Sequence, residues 1–516
     1  AWAEETDTGD RDGLVPGVSE RAWRQVSVSA RECLGRQRCP MAEECHCELA
    51  RDRAREVDIV VTNHSFVAID AFEGWNMLPE HEVLVVDEAH ELADRVTAVV
   101  SDELTAGSVA AAARRARRVA GVDTTRLDEA ADGLELTLAE LREGRMPRGL
   151  PEAPALAVAT VRDAARELLT ELKVDPGSGP PDGTRQLASA AVGEILDVAE
   201  RLVDGAGDEN GPDVVWAARH RRVDGAEWMA LHVAPLGVAG RLRDRLFGER
   251  TVVMTSATLS LGGSFDAAAG AVGLLGEDAP TWRGLDVGSP FDYRRQGILY
   301  LARHLPPPGR DGITEATLEE LATLVEAAGG RALGLFSSRR AAQVAAEAMR
   351  ERLDVPVLCQ GDDMTPTLVR QFAADAGTCL FGTLSLWQGV DVPGPACQLV
   401  VIDRIPFPRP DDPLASARAA AVSRAGGNGF MTVSATHAAL LLAQGSGRLI
   451  RTADDRGVVA VLDSRLATAR YAGFLRASLP SYWTTTDRGA VLDALRRIDA
   501  AAPHTAADPA VPAEVT

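Results

Sequence analysis

Two adjacent carboxylates follow a short apolar run in Val83-Leu-Val-Val-Asp87-Glu88-Ala89-His90. An apolar strand that delivers acids at its carboxyl end puts them where open α/β sheets collect ligand chemistry. In nucleotide hydrolases the first such acid holds Mg²⁺, often through water, and the second orients the attacking water. A bare Asp-Glu pair reads as a solvated turn, but the strand followed by Asp-Glu-Ala-His favours the catalytic reading. A second stretch, Thr255-Ser256-Ala257-Thr258, also closes an apolar run. Its hydroxyls suit hydrogen bonds to the acidic pair; alone it would be only a helix N-cap signal. In Gln444-Gly-Ser-Gly-Arg448-Leu-Ile-Arg451 two arginines stand three apart. On a helix they would share one face and offer planar, always-charged donors to a phosphate. Phe381 to Pro393 runs from a strand signal into a loop holding Gly389 and Asp391, suited to phosphate and backbone contacts.

Cys33, Cys39, Cys45 and Cys47 fall within 15 positions, which is no random scatter of seven cysteines over 516 residues. Clustered thiols of this kind favour metal over disulfide. The spacing lacks the paired C-x₂-C hooks of a zinc ribbon, though zinc stays open beside iron–sulfur. Cys359, Cys379 and Cys397 read as reduced core thiols.

The elements that must carry these groups read as βαβ. Strand signals appear at 58–62, 83–87, 251–256, 332–336, 379–383, 398–402 and 457–462, several separated by helical stretches, so the expected sheets are parallel and buried on both faces. A helix is expected over 48–56. Between about 92 and 227 the spacing is largely helical, with Leu134, Leu138 and Leu141 on one face. Loops are expected at 176–183 and 204–213, and a disordered tail over the last dozen or so residues.

At 516 residues the chain is long enough for about three domains with real cores. Apolar residues at 46% and charged residues at 25% exclude a fibrous or mostly disordered chain, and no apolar run is long enough to span a membrane. Lys173 is the lone lysine against 53 arginines, a bias expected of a GC-rich genome. A formal charge of −21 argues against uniform coating by nucleic acid but leaves room for a local basic groove. Arg114, Arg115, Arg117 and Arg118 form such a cluster, equally readable as a solvated helix face, and Trp387 suits either base stacking or packing.

Taken in order, the motifs resemble those of superfamily 2 helicases, and more narrowly the DinG/XPD-like iron–sulfur DNA helicases, from about Cys33 to about Arg465. Asp87 to His90 is similar to that family's motif II, Ser256-Ala-Thr258 to motif III, Leu335 to Arg339 to motif IV, Gly389-Val-Asp391 to motif V, and Gln444 to Arg451 to motif VI with its arginine finger. The family also carries a [4Fe–4S] cluster just before a Thr-Asn-His stretch, here Thr62-Asn63-His64. Cys33, Cys39 and Cys45 resemble its last three ligands, and Cys47 is a candidate for the fourth.

The resemblance implies two RecA-like α/β domains, the first incomplete. The expected divisions are an iron–sulfur region at 1–57, domain 1 at 58–94 and 228–284, a helical Arch-like insertion at 95–227, domain 2 at 285–480, and a C-terminal helix and tail at 481–516. It implies ATP and Mg²⁺ as cofactors, with Asp87 on the metal, Glu88 orienting water, and Arg448 and Arg451 stabilising transition-state charge. Ser256, Thr258, Gly389, Asp391 and Gln444 would contact the nucleotide. Single-stranded and duplex DNA are the expected partners of a monomeric, cytoplasmic protein that translocates 5′ to 3′. One departure stands out. A P-loop needs a lysine after a glycine loop, and Lys173 has none before it. The chain as given is therefore expected to be inactive alone, through N-terminal truncation or natural loss. The competing reading is a non-hydrolysing nucleic-acid-binding or scaffold protein derived from a helicase.

Overall fold

Short β-branched runs bounded by polar residues become parallel strands in this chain, but with very different amounts of cover. The computed structural model describes residues 2–11, 14, 18–23, 26–28, 33–37, 39–73, 77–173, 183–205, 211–222, 225–248, 250–309, 312–383, 386, 394 and 396–502. The chain divides into two units. The first holds Ala1–Thr255, Gly270–Pro280 and Asp411–Ala421; the second holds Ser256–Ala269, Thr281–Pro410 and Val422–Thr516.

The strands of the first unit are β1 (Val83–Val86), β2 (Asp102–Leu104), β3 (Gly144–Arg145), β4 (Asp213–Arg221), β5 (Glu227–Pro235) and β6 (Thr251–Met254). β1 and β6 pair in parallel, Val83 opposite Thr251 through Val86 opposite Met254. The other four form an antiparallel sheet in the order β2-β5-β4-β3. Its inner face packs on four helices, Ala106–Ala120, Thr125–Ala139, Glu152–Leu172 and Gly183–Gly205, around a core that includes Leu104, Leu127, Leu134, Val161, Leu202 and Leu231. The first of these helices is nucleated by a reciprocal Thr105–Ser108 capping box and stopped by Gly121 at φ +68°. Arg201 ties the last helix to the sheet, with Nη1 2.7 Å from Asp102 and Nη2 2.6 Å from Asp213.

Two expectations change here. The run 58–62 is not a buried strand: it joins no sheet, and Ile59 and Val61 are 80% and 91% exposed. A parallel strand gains burial only from neighbours and covering helices, and among the described residues β1 has one paired neighbour, β6. The region expected to be helical also holds most of an antiparallel sheet, and the β4–β5 hairpin crosses the expected boundary between 227 and 228. Leu134 and Leu138 are buried as their spacing predicts, while Leu141 packs on the same core just beyond the helix end.

The second unit adds β7 (Gly297–Leu301), β8 (Ala332–Leu335), β9 (Val357–Cys359), β10 (Cys379–Gly382), β11 (Leu399–Ile402), β12 (Gly457–Val461) and β13 (Trp483–Thr485). They form one seven-stranded sheet in the order β13-β7-β12-β11-β8-β10-β9, every pair parallel. Apolar clusters fill both faces, one around Leu333, Val400 and Val459, the other around Phe336, Val401 and Leu495. Parallel strands all end at one edge, so Asp403 after β11 and Asp463 after β12 emerge side by side. The tail expected after about residue 502 lies outside the described residues, as does most of the loop expected at 176–183.

Candidate active site

The backbone of β1 and β6 brings Asp87 and Thr255 together. The ladder runs on past the strand ends, with the Thr255 amide donating to the Val86 carbonyl at 2.8 Å and the Ala89 amide to the Thr255 carbonyl at 3.0 Å. Asp87 Oδ1 then accepts from the Thr255 hydroxyl at 2.7 Å and from the Glu88 amide at 2.9 Å. These donors stabilise the carboxylate, Thr255 most, and hold the Asp87 pKa below its ordinary value; nearby His64 acts in the same direction. An ionised, hydrogen-bonded but solvent-facing carboxylate is a suitable oxygen ligand for Mg²⁺, directly or through water. The donor set therefore fits the ion implied by the sequence.

Glu88 takes a left-handed backbone conformation, φ +46°, one of two described non-glycine residues with positive φ. For a residue with a Cβ this conformation costs of order 1 kcal/mol or more and persists where surrounding structure imposes it. Here it turns the chain sharply after Asp87 and leaves the Glu88 side chain 63% exposed, with Oε2 3.3 Å from His90 Nδ1. Burial lowers the His90 pKa while Glu88 and Glu91 pull it the other way. The ring thus serves as a post behind the acidic turn.

His64 is a contributor whose role the sequence reading missed. Its Nε2 lies 2.8 Å from the Asp87 carbonyl oxygen. A carbonyl only accepts, so the ring donates its Nε2–H. Asn63 accepts from the Phe66 amide at 2.8 Å and so caps the helix His64–Glu73 that carries this histidine. The signal was the Thr62-Asn63-His64 stretch, read only as a landmark. Residues 57–65, Val83 to Asp87 and Glu91 to Arg95 line most of a cleft of about 1050 Å³.

Ser256 and Thr258 belong to the second unit and lie with their hydroxyls 3.2 Å apart; the hydroxyl on Asp87 is that of Thr255. The arginines of the third motif do not share a helix face. The helix Thr436–Ser446 ends at Gly447, so Gln444 lies within it while Arg448 and Arg451 follow it in a turn. Buried Leu449 and Ile450 anchor that turn between them. Asp455 then sets the backbone, its Oδ2 accepting from the amides of Arg451 and Thr452 at 2.7 Å each and its Oδ1 from the Gly394 amide at 3.2 Å. Gln296, also buried, donates to the carbonyls of Thr452 and Ala453. No spacing in the sequence marked Asp455 or Gln296, since both act on backbone groups. Gly389, Asp391 and Trp387 lie outside the described residues.

Cys33, Cys39 and Cys45 are half-buried and Cys47 is exposed, all without disulfides. Cys45 caps the helix His46–Glu56, and Cys47 on its first turn lies close enough to Cys45 and Cys33 for their charge to add to burial in raising its pKa. Four reduced thiols on one short segment are the donor chemistry of an iron–sulfur or zinc site. In the basic cluster Arg114, Arg117 and Arg118 are exposed, opposite the buried Val109, Ala113 and Ala116, and Arg117 pairs with Asp128 at 2.8 Å. No helix among the described residues is long and apolar enough to cross a membrane.

A family model described as a helicase C-terminal domain matches residues 321–482. A protein described as ATP-dependent helicase DinG from Mycobacterium tuberculosis (strain ATCC 25177 / H37Ra) is 57% identical over 502 residues, 96% of this chain and 75% of that protein. The ATP-dependent DNA helicase YoaA of Escherichia coli (strain K12) is 32% identical, over 94% of this chain and 77% of its own length. Among solved structures, one named XPD_APO superposes with a TM-score of 0.51 at 16% identity, covering 85% of this chain and 84% of its own, a likeness of fold. The motifs and these relatives agree: the chain belongs to the DinG/XPD-like family of superfamily 2 helicases.

Proposed function

We propose that this chain acts as an ATP-dependent DNA helicase that moves 5′ to 3′ along single-stranded DNA. The observation that carries the reading is the Asp87 carboxylate, held ionised by Thr255 at the tip of β1 beside the strained Glu88, in a chain whose relatives are ATP-dependent helicases. Asp87 would hold Mg²⁺, which when bound screens phosphate charge. Glu88 orients and accepts a proton from the attacking water. His64 and Thr255 keep Asp87 in place, and Arg448 and Arg451 supply positive charge to the developing phosphate. Ser256, Thr258, Gln444, Gly389 and Asp391 are assigned to nucleotide contacts by family pattern. Cys33, Cys39 and Cys45, with Cys47 as a fourth thiol, would hold a [4Fe–4S] cluster that supplies a redox-active, thiolate-held knot. The exposed Arg114 and Arg118 suit contacts to DNA phosphates.

The experiment is ATP hydrolysis with and without single-stranded DNA, in the protein expressed from its whole reading frame. DNA-stimulated turnover that Glu88→Gln or Arg451→Ala abolishes is the expected result. Normal turnover in either variant overturns its assigned role. DNA binding indifferent to ATP, with no turnover to lose, would make this a nucleic-acid-binding scaffold. Anaerobic purification gives a brown protein if the cysteines hold iron–sulfur and a colourless, zinc-containing one if they do not.

A further inference from the structure

The antiparallel sheet of the first unit carries side chains that the proposed helicase chemistry leaves unused. Its register places Glu103 on β2 opposite His232 on β5, and His232 opposite Trp216 on β4. Further along the hairpin His220 faces Trp228, with Ala218 and Ala230 paired in between. Alternate strand positions share a face, so these groups all stand on one side, away from the core that buries Leu104, Leu231 and Val233.

The two alanines leave no bulk between the histidines. Each imidazole stacks on the tryptophan across from it, His232 on Trp216 with centroids 5.0 Å apart and His220 on Trp228 at 5.4 Å. Held this way, the rings converge until their Nε2 atoms are 3.2 Å apart. Two nitrogens on one tetrahedral zinc, each at about 2.05 Å, would lie about 3.3 Å apart. A carboxylate oxygen of Glu103 joins one nitrogen from each ring in a group whose members are all within 4.8 Å of one another, the one such group of three or more possible metal ligands among the described residues. Burial lowers the His232 pKa, which favours the neutral ring that ligation requires. Glu103 is exposed and both histidines are half-buried, so an ion has a path in and room for a water ligand.

We propose that Glu103, His220 and His232 bind one divalent transition ion of the zinc type, with water in the fourth position. Imidazole donors select such ions over Mg²⁺ and Ca²⁺, which prefer oxygen throughout. The ion would clip β2, a three-residue edge strand, to the β4–β5 hairpin, whatever the activity of the protein proves to be.

The test is a titration of the chelator-treated full chain with Co²⁺. Cobalt on the cysteines announces itself by intense thiolate charge-transfer absorption; cobalt on the sheet site shows only weaker ligand-field bands and quenches Trp216 and Trp228. We expect one cobalt equivalent of the second kind, displaced by Zn²⁺ and not by Mg²⁺, and lost in His220→Gln and in His232→Gln while the thiolate signal persists. Glu103→Gln, at an exposed edge position, should keep the apo melting temperature and weaken binding about tenfold or more. If the histidine variants fail to fold, Glu103→Gln decides. Unchanged binding in the folded variants, or no cobalt outside the cysteines, overturns the proposal and leaves the pair as a histidine–histidine hydrogen bond.

Discussion

Val83-Leu-Val-Val86 followed by Asp87 and Leu399-Val-Val-Ile402 followed by Asp403 are nearly the same sentence written twice, yet they end in opposite environments. β1 has one paired neighbour, and its Val83 and Val85 are 56% and 62% exposed. β11 lies mid-sheet with every residue buried. The acids at their tips diverge accordingly. Asp87 faces solvent, and Thr255 holds it below the ordinary carboxylate range. Asp403 is buried, and desolvation pushes it up to about 6 although Arg404 and two hydrogen bonds from Ser337 oppose the shift. The same strand thus presents a charge to a ligand when its tip stays wet and a structural acceptor when it does not. Asp403 accepts from the Ser337 amide and the Arg404 amide, and so ties the exits of β8 and β11 together.

Substituting both acids breaks the comparison most sharply. Asp87→Asn should reduce DNA-stimulated hydrolysis on the order of 10³-fold, about 4 kcal/mol of barrier, and leave the melting temperature in place; an unchanged rate removes Asp87 from the metal role. Asp403→Asn should act on stability. Because the folded pKa is raised from 3.8 to about 6, the native state keeps a proton that the unfolded chain has released. Stability from this group therefore falls as pH rises between those values, by up to roughly 3 kcal/mol, and is level above them. The wild-type curve measured against Asp403→Asn in denaturant titrations should show that slope, and a flat difference would refute the raised pKa.

Smaller changes sharpen the contrast. Val401→Ala, at a fully buried β11 position, should cost about 1–3 kcal/mol, whereas Val85→Ala should stay within about 0.5 kcal/mol. Equal costs would mean β1 is covered in solution. Thr255→Val removes the main donor to Asp87, so the acid limb of the hydrolysis profile should move to higher pH, with about a tenfold loss below neutrality. Last, Glu88→Gly relieves a left-handed residue. It should change stability by no more than about 1 kcal/mol in either direction while eliminating hydrolysis, unlike glycine placed in an ordinary turn.

Much of the second unit was legible. Four of its seven strands were read from short apolar runs, because a strand buried on both faces has no polar alternation to disguise it. β7, β9 and β13 escaped. β9 and β13 have three residues each, and β7 begins at a glycine and follows a charged helix. The hairpin of the first unit was lost in an Ala-rich helical background, since Trp216, Ala218 and His220 alternate with Val215 and Ala217 without a clear polar face. At the candidate site the acids were readable from type and position. His64, Asp455 and Gln296 were not, because they bind carbonyls and amides that any residue could supply.

Alone, the order and chemistry of the residues determined the family, the parallel strands, and the acids and arginines that the proposed hydrolysis would use. Those depend on local pattern: a β-branched run makes a strand, and an acid after it sits at the strand's end. Tertiary structure decided which acid is wet and which buried, and that Thr255 is the hydroxyl on Asp87. It also ended the Thr436–Ser446 helix before its arginines and brought Glu103, His220 and His232 together from positions up to 129 residues apart. Burial, strand register and hydrogen bonds to backbone are set by partners far along the chain, and no window of sequence contains both sides of such a contact.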